Sequence, residues 1–423
     1  SLDELKKMTD SLDKELQAVM TKAGIKKEDV ERFLKIKPEM SEKGVLEILG
    51  GLKKVGATNP ELNALLNEFD TLLKAFPFLA GTATEKNKQD APQEKMEADS
   101  AKEPEKDRTD KMKGDLTGAD FSGQNLSGFD FSGKILEKAV FKKTNLSGAK
   151  FAGCVLSGAD FSDAIMTGVS LFFVSAPDTV FRKANLEKAD MSGGDFTNAD
   201  FSEASMKGAR MSDARYENVK MVKTACSNAD AFGATFYEAD LTEAVFDDSN
   251  LTDADMTNAT ISRTSFIRAN GANLRLYGAK GDSPNLEYAS LNGSRADYET
   301  QISNARLSKA DLSGSCWEGA KLVKAHMVDA KMDRADFSRA DFTDAVLTGV
   351  VARETRFDKA VLDRADLSYA NLFKGSLRKS SMSDTKLTSS NLFGVDFYKT
   401  KMKRVDLNNA NTKRTIFSLR LDI

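Results

Sequence analysis

Residues 335–349 read ADFSRADFTDAVLTG, nearly the same phrase three times. Phe337, Phe342 and Leu347 stand five apart, and each follows an alanine two places earlier: Ala335, Ala340 and Ala345. An α-helix repeats every 3.6 residues, so a stripe of period five would wind around its surface instead of lying on one face. A strand alternates every two residues, so an odd period would send successive anchors to opposite faces of a sheet. The backbone must therefore turn a corner once per five residues and return the same two side chains inward each time.

The pattern extends far beyond this stretch. Large anchors run Leu116, Phe121, Leu126, Phe131, Leu136, Phe141, Leu146, Phe151, Leu156, Phe161, Met166 and Leu171, and the same frame reaches Leu286 and Leu291. A second frame, shifted by one, runs from Leu307 through Leu312, Leu322, Met327, Met332 and Phe337 to Leu407 and Phe417. One extra residue must enter within ADYETQISNAR, residues 296–306, which predicts a bulge or loop there and a bend in the long axis. Trp317 falls on a large-anchor position, where its bulk and its need for an N–H partner predict a local distortion.

Units such as KADLSGS (309–315) and RADLSYANLFKG (364–375) resemble the pentapeptide-repeat family, whose tandem motif is roughly A(D/N)LXX. The resemblance implies a mainly β fold, a right-handed quadrilateral β-helix over residues 114–423 with four repeats per turn. At one strand spacing per turn, roughly 15 coils would form a rod about 70 Å long. The inward residues of such a coil are structural, so information about function must lie on the three outward positions of each repeat.

Upstream the pattern changes. Residues 1–81 carry helical periodicity: Leu5, Met8, Leu12, Leu16 and Met20 form one amphipathic stripe, and Asn59 with Pro60 reads as a helix start. A small all-α bundle is expected. Residues 82–113 are charged and nearly free of large apolar groups, which predicts a disordered linker. The chain begins with Ser1 instead of Met, which suggests a piece of a longer protein.

Composition removes several function classes. With 61 basic and 64 acidic residues the chain is close to neutral, and its single histidine, His326, allows no His-rich metal site and no histidine pair. Cys154, Cys226 and Cys316 are widely separated and odd in number, which argues against a disulfide framework. The first two fall on inward positions and Cys316 on an outward one. No apolar run approaches the ~18 residues of a membrane helix. No phosphate-binding glycine loop or nucleophile elbow is present, and the recurrent carboxylates Asp311, Asp336 and Asp341 belong to the repeat itself. The expectation is a cytoplasmic bacterial protein that is not an enzyme and holds no cofactor or metal.

Candidate contact residues are therefore outward apolar or charged side chains. Phe172 and Phe173, in LFFVSAPD, are expected on a protruding loop with an aromatic tip. Tyr237 and Tyr277, forty residues apart, should project from one face, and Phe373 and Phe393, twenty apart, should stack. Asp230, Glu238, Asp240, Glu243, Asp247, Asp248, Asp253 and Asp255 occur without an intervening base and suggest an acidic patch. Lys399, Lys401, Lys403, Arg404, Lys413 and Arg414 mark a basic end. The terminal TIFSLRLDI alternates apolar and polar residues where a strand edge would lie, which suggests a cap or a homodimer contact.

These features point to a protein-binding scaffold. Long, imperfect pentapeptide-repeat segments look like those attached to accessory proteins of type VI secretion, so the resemblance implies an adaptor or chaperone-like role in loading a secreted effector. The alternative is a DNA-mimicking or DNA-associated inhibitor or protector of a topoisomerase such as gyrase. Mimicry needs acidic charge along most of the surface, whereas bases and acids nearly balance over residues 111–423, so a nucleic-acid connection is disfavoured.

Overall fold

The computed structural model describes residues 115–417. The helical pattern of residues 1–81, the linker of 82–113 and the last part of TIFSLRLDI lie outside them. Every five-residue unit follows one scheme. The residue before each large anchor forms a single parallel β-bridge with its equivalent one coil away, as in Val140↔Asp160 and Asp160↔Val180. The anchor and the two residues after it then make a β-turn, closed by bonds such as Ala139 N–H to Leu136 C=O at 3.1 Å. The third residue of that turn has positive φ, 55° at Lys138 and 57° at Asp163, as a type II turn requires.

Bridges recur every twenty residues, so four units close one coil. The fold is a four-sided β-solenoid. We number the sides by their anchor columns: side 1 holds Leu136, Leu156 and Phe196; side 2 Phe141, Phe161 and Phe181; side 3 Leu146, Met166 and Leu186; side 4 Phe151, Leu171 and Met191. The anchors are buried, and so are the small residues two places before them. On side 2, Phe121, Phe141, Phe161, Phe181 and Phe201 stack at centroid distances of 4.8, 4.7, 5.1 and 4.7 Å. That spacing is the strand repeat itself, so one ring per coil gives a continuous aromatic column.

Polar groups that enter this core find partners in the backbone. Thr144, Thr179, Thr224, Thr264 and Thr355 occupy the small inward position, and each hydroxyl donates to the carbonyl 23 residues earlier, at 2.5–2.9 Å. Burial of these threonine hydroxyls is tolerated because the adjacent coil presents each an acceptor, whereas the Ser315 and Ser338 hydroxyls are buried without a hydrogen bond. Tyr216 is a departure: it stacks between Phe196 and Phe236 at 5.2 Å, but its hydroxyl is buried without a hydrogen bond. Burial, followed by the nearby Cys226 and Asp190, pushes the Tyr216 phenol well above its ordinary range.

The extra residue sits between Ala296 and Ile302. Four short strands bracket it: β1 (Lys280–Asp282), β2 (Arg295–Ala296), β3 (Gln301–Ser303) and β4 (Cys316–Trp317). β1 pairs with β3 and β2 with β4, in each case 21 residues apart instead of 20. The Thr300 hydroxyl now donates to a carbonyl 24 residues back, Leu276, at 2.8 Å. Asp297 absorbs the irregularity: its Oδ1 accepts from the N–H groups of Glu299 and Thr300 and, at 3.0 Å, from Gly278 N–H. In regular coils that last donor goes to a backbone carbonyl, as Gly118 N–H does to Glu137.

The core narrows beside the insertion, with anchors reduced to Gly271, Gly281 and Ala296. A Cβ on Gly281 would stand 2.7 Å from the Ile261 carbonyl carbon, so only glycine lets these backbones approach. Trp317 lies directly above Ala296, fully buried, with Nε1–H donating to Ser294 Oγ at 3.0 Å. The expected distortion at Trp317 is absent: the ladder continues regularly from Cys316 to Asp336. A methyl group one coil below gives the indole its room. The remaining strands, β5 (Ser381–Ser383) and β6 (Lys401–Lys403), pair in parallel in the standard register.

Candidate interaction surfaces of the solenoid

The aspartate or asparagine before each anchor has a local task. Asp160 Oδ1 accepts from Ser162 N–H at 2.9 Å, and Asp341 from Thr343 N–H at 2.9 Å. At Asp160 burial opposes ionisation, but the Ser162 and Lys142 hydrogen bonds outweigh it and hold the carboxyl below its usual range. These acids brace turns. Among the described residues no group of three His, Cys, Asp or Glu side chains could hold a metal ion, and no helix is long and apolar enough to cross a membrane.

Two sequence expectations require correction. Phe172 and Phe173 do not form a protruding tip: their unit keeps the standard turn, with Phe173 at φ 50°. Phe172 is buried, and the two rings meet edge to face at 4.5 Å. Phe173 lies over Gly193 in the next coil, where a Cβ would come within 2.8 Å of the ring. A glycine twenty residues on, invisible to local reading, folds the pair against the wall.

The acidic run is not a patch. Twenty residues encircle the solenoid, so the run is wound around it: Glu238 and Asp255 lie on side 1, Asp240 and Glu243 on side 2, Asp247 and Asp248 on side 3, Asp230 and Asp253 on side 4. Most are engaged by the adjacent coil. Glu243 accepts from Arg263 at 2.5 Å, Asp248 takes both arms of Arg268 at 2.6 Å, and Asp255 faces Arg275 at 3.6 Å. Asp230 and Asp253 accept from Asn250 and Asn273, Asp247 from Ser265, and Asp240 from Thr242.

The aromatic pairs on outward positions fall as spaced. Tyr237 and Tyr277 share side 1, two coils apart, with Tyr237 the more exposed. Tyr298, 71% exposed at the insertion, occupies the same side, and its six-residue unit hid it from period-five reading. Phe373 and Phe393 stack on side 4 with centroids 5.6 Å apart and planes 13° from parallel. Both are half-buried. Lys374 Nζ sits 5.2 Å from the Phe373 centroid and Arg414 Cζ 5.5 Å from that of Phe393. Beside them Asn371, Asn391 and Asn411 form an amide ladder, each bond 3.0 Å. The rings are fixed on a rigid backing before any partner arrives.

The basic end divides by corner. Arg404 is paired with Asp384 at 2.5 Å, Lys401 and Lys403 flank Met402 in β6 on side 2, Lys413 and Arg414 lie on side 4, and Lys399 closes side 1. A regularity that local reading missed appears at the corner after side 2. Its residues are Lys143, Asp163, Lys183, Glu203, Lys223, Glu243 and Arg263, then, past Ser283 and Asn304 at the insertion, Lys324, Asp344, Arg364, Asp384 and Arg404. The sign of the charge alternates at every coil. Ion pairs bind Lys223 and Arg263 to Glu243, and Arg364 to Asp344. The signal has a period of twenty, shifted by one at the insertion, so it shows only once the coil length is known.

A family model for pentapeptide repeats matches the chain in eight copies, over residues 115–151, 135–171, 179–215, 226–263, 249–280, 300–339, 340–378 and 376–409. The chain belongs to the pentapeptide-repeat family. Among solved structures it is similar to HetL, a pentapeptide repeat protein involved in heterocyst differentiation regulation from the cyanobacterium Nostoc sp. strain PCC 7120 (20% identity, 72% of this chain and 89% of that one, TM-score 0.14). Rfr23 from the cyanobacterium Cyanothece 51142 is similar at 16% identity, over 29% of this chain and 90% of that one, with a TM-score of 0.21. QnrB1, a plasmid-mediated fluoroquinolone resistance protein, matches at 16% identity over 48% and 94%, with a TM-score of 0.19. No match was found among curated proteins.

Proposed function

We propose that this chain is a non-enzymatic scaffold that binds another protein through the outer surface of its solenoid, in an adaptor or chaperone-like role such as presenting an effector for secretion. The observation that carries this reading is the Phe373/Phe393 stack. Two half-exposed rings, flanked by an asparagine ladder and by two cations, form a pre-ordered apolar anchor of the kind that dominates protein interfaces. Little side-chain entropy is left to lose on binding.

The test places a photo-crosslinking phenylalanine analogue at position 373 of the full chain in its native cells and identifies the adducts by mass spectrometry. A single protein adduct, whose affinity for the purified chain falls at least tenfold in Phe373→Ala/Phe393→Ala, is the expected result. Adducts only to the chain itself, or a partner that binds the double variant equally well, would overturn the reading. Protection of gyrase from a fluoroquinolone by the purified chain would favour the inhibitor class instead.

A further inference from the structure

The corner after side 1 differs from its alternating neighbour in the same coils. Its residues are Arg339, Lys359, Lys379 and Lys399, four cations in four successive coils. All are exposed and sit at the positive-φ turn position, with φ of 63°, 61°, 59° and 58°. Their backbones are locked in line, since Arg339, Lys359 and Lys379 N–H each donate to a carbonyl one coil on, at 2.8, 2.7 and 2.9 Å. The Cα atoms of adjacent row residues are thus about one strand spacing, ~4.8 Å, apart, and their flexible stems carry the charges outward along one line. Arg339 reaches Glu318 at 3.5 Å, whereas among the described residues no acid lies within ion-pair distance of Lys359, Lys379 or Lys399. Of the row's flanking residues, Lys401 on side 2 adds charge, Arg378 on side 1 is paired with Asp396 at 3.6 Å, and Asp358 and Asp341 are acidic.

Like charges in successive coils repel, and more so at low salt. One corner away, Lys324, Asp344, Arg364, Asp384 and Arg404 remove that cost by alternation. An anion from outside would neutralise the row as alternation neutralises its neighbour. Its charges must repeat along a line, because the cations do. Three of the four cations are lysines, which are depleted at protein interfaces but are standard contacts to phosphate. A single row, one charge per coil, follows one backbone, whereas a duplex presents two across a groove. Tyr398, half-buried beside the row, has Arg378 and Lys399 at 5.4 and 5.2 Å from its ring centroid and adds an aromatic edge for an unpaired base. We propose that the Arg339/Lys359/Lys379/Lys399 corner binds the phosphate backbone of a single-stranded nucleic acid. The site is independent of the Phe373/Phe393 surface, so either can fail without the other.

The test uses the full chain and a fluorescent twelve-nucleotide oligothymidine, with anisotropy read from 50 to 300 mM salt. Two variants lose the same net charge: Lys359→Gln/Lys379→Gln/Lys399→Gln in the row, and Lys143→Gln/Lys183→Gln/Lys223→Gln far from it. The row variant is expected to bind at least tenfold more weakly at 50 mM salt and to reduce the slope of log K against log salt by about 2, while the distant variant stays within twofold of the parent. Absence of binding by the parent chain at 50 mM salt would overturn the proposal, as would equal losses in both variants. Tighter binding of the matching duplex would overturn the single-strand assignment. If poly-glutamate binds with the same dependence on the row while oligothymidine does not, the partner is an acidic peptide and the proposal fails.

Discussion

The coils of five-residue units and the one coil that contains a unit of six solve the same problem by different means. In the regular coils below the insertion, the N–H of the third turn residue meets a carbonyl of the next coil, and rings such as Phe141, Phe161 and Phe181 stack at the strand repeat. At the insertion the backbone can no longer supply one acceptor, and the Asp297 carboxylate takes its place. The side-1 anchor shrinks to Ala296, and the volume lost there is refilled from above by Trp317. The solenoid therefore conserves its hydrogen-bond partners and its packed volume coil by coil, not its residue types.

Removing the indole is the severest way to break that equivalence. Trp317→Ala would leave an alanine over an alanine and free Ser294 of its partner, with an expected loss of about 3–5 kcal/mol, read as a lower urea midpoint. Ala296→Phe sharpens the comparison. In the parent chain it overpacks against Trp317 and costs about 1–3 kcal/mol, whereas in Trp317→Ala it should restore part of the lost stability. Additive effects in this double-mutant cycle would show that the two positions do not share one volume.

Asp297→Ala is the next largest break. It strips an acceptor from Gly278, Glu299 and Thr300 N–H together, with an expected cost of about 1–3 kcal/mol. Faster amide hydrogen exchange confined to residues 278 and 297–300 is the expected signature. Asp160→Ala in a regular coil is the control. It removes a turn brace and the exposed Lys142 ion pair but leaves the backbone bonds between coils intact, and exchange at Phe141 N–H, which donates to the Asp160 carbonyl, should stay slow.

The repeat and the position of the slip were legible in the sequence because each rests on a five-residue period. The four-sided coil followed instead from the resemblance to pentapeptide repeats, since a period of five does not say how many units close a coil. The outward chemistry was not legible, because it is organised at twenty. Phe172 and Phe173 read as exposed until Gly193, one coil away, is placed beneath the second ring. Eight acids with no intervening base in the chain read as one patch until they are wound two to a side. Conversely Lys324, Asp344, Arg364, Asp384 and Arg404 read as unrelated until they line one corner. Residues 1–114 offered a helical pattern and a charged stretch, and both lie outside the described residues.

The smallest expected effect tests whether the alternating corner matters to the fold at all. Arg364→Asp would set three carboxylates in succession, Asp344, position 364 and Asp384, in place of a pair bonded at 2.5 and 2.9 Å. The Arg364 hydrogen bonds, followed in effect by the charges of Arg364 and Lys324, now hold the Asp344 carboxyl below its usual range, so that range should be restored or exceeded in the variant. Because these side chains are exposed, the fall in the urea midpoint should be small and vanish in 1 M salt, where screening acts within about 3 Å. A larger, salt-resistant loss would mean that the corner helps to hold the coils together. A small one would leave alternation as the way a corner stays neutral and without appetite for an external anion, which is the property its neighbour at Lys359, Lys379 and Lys399 lacks.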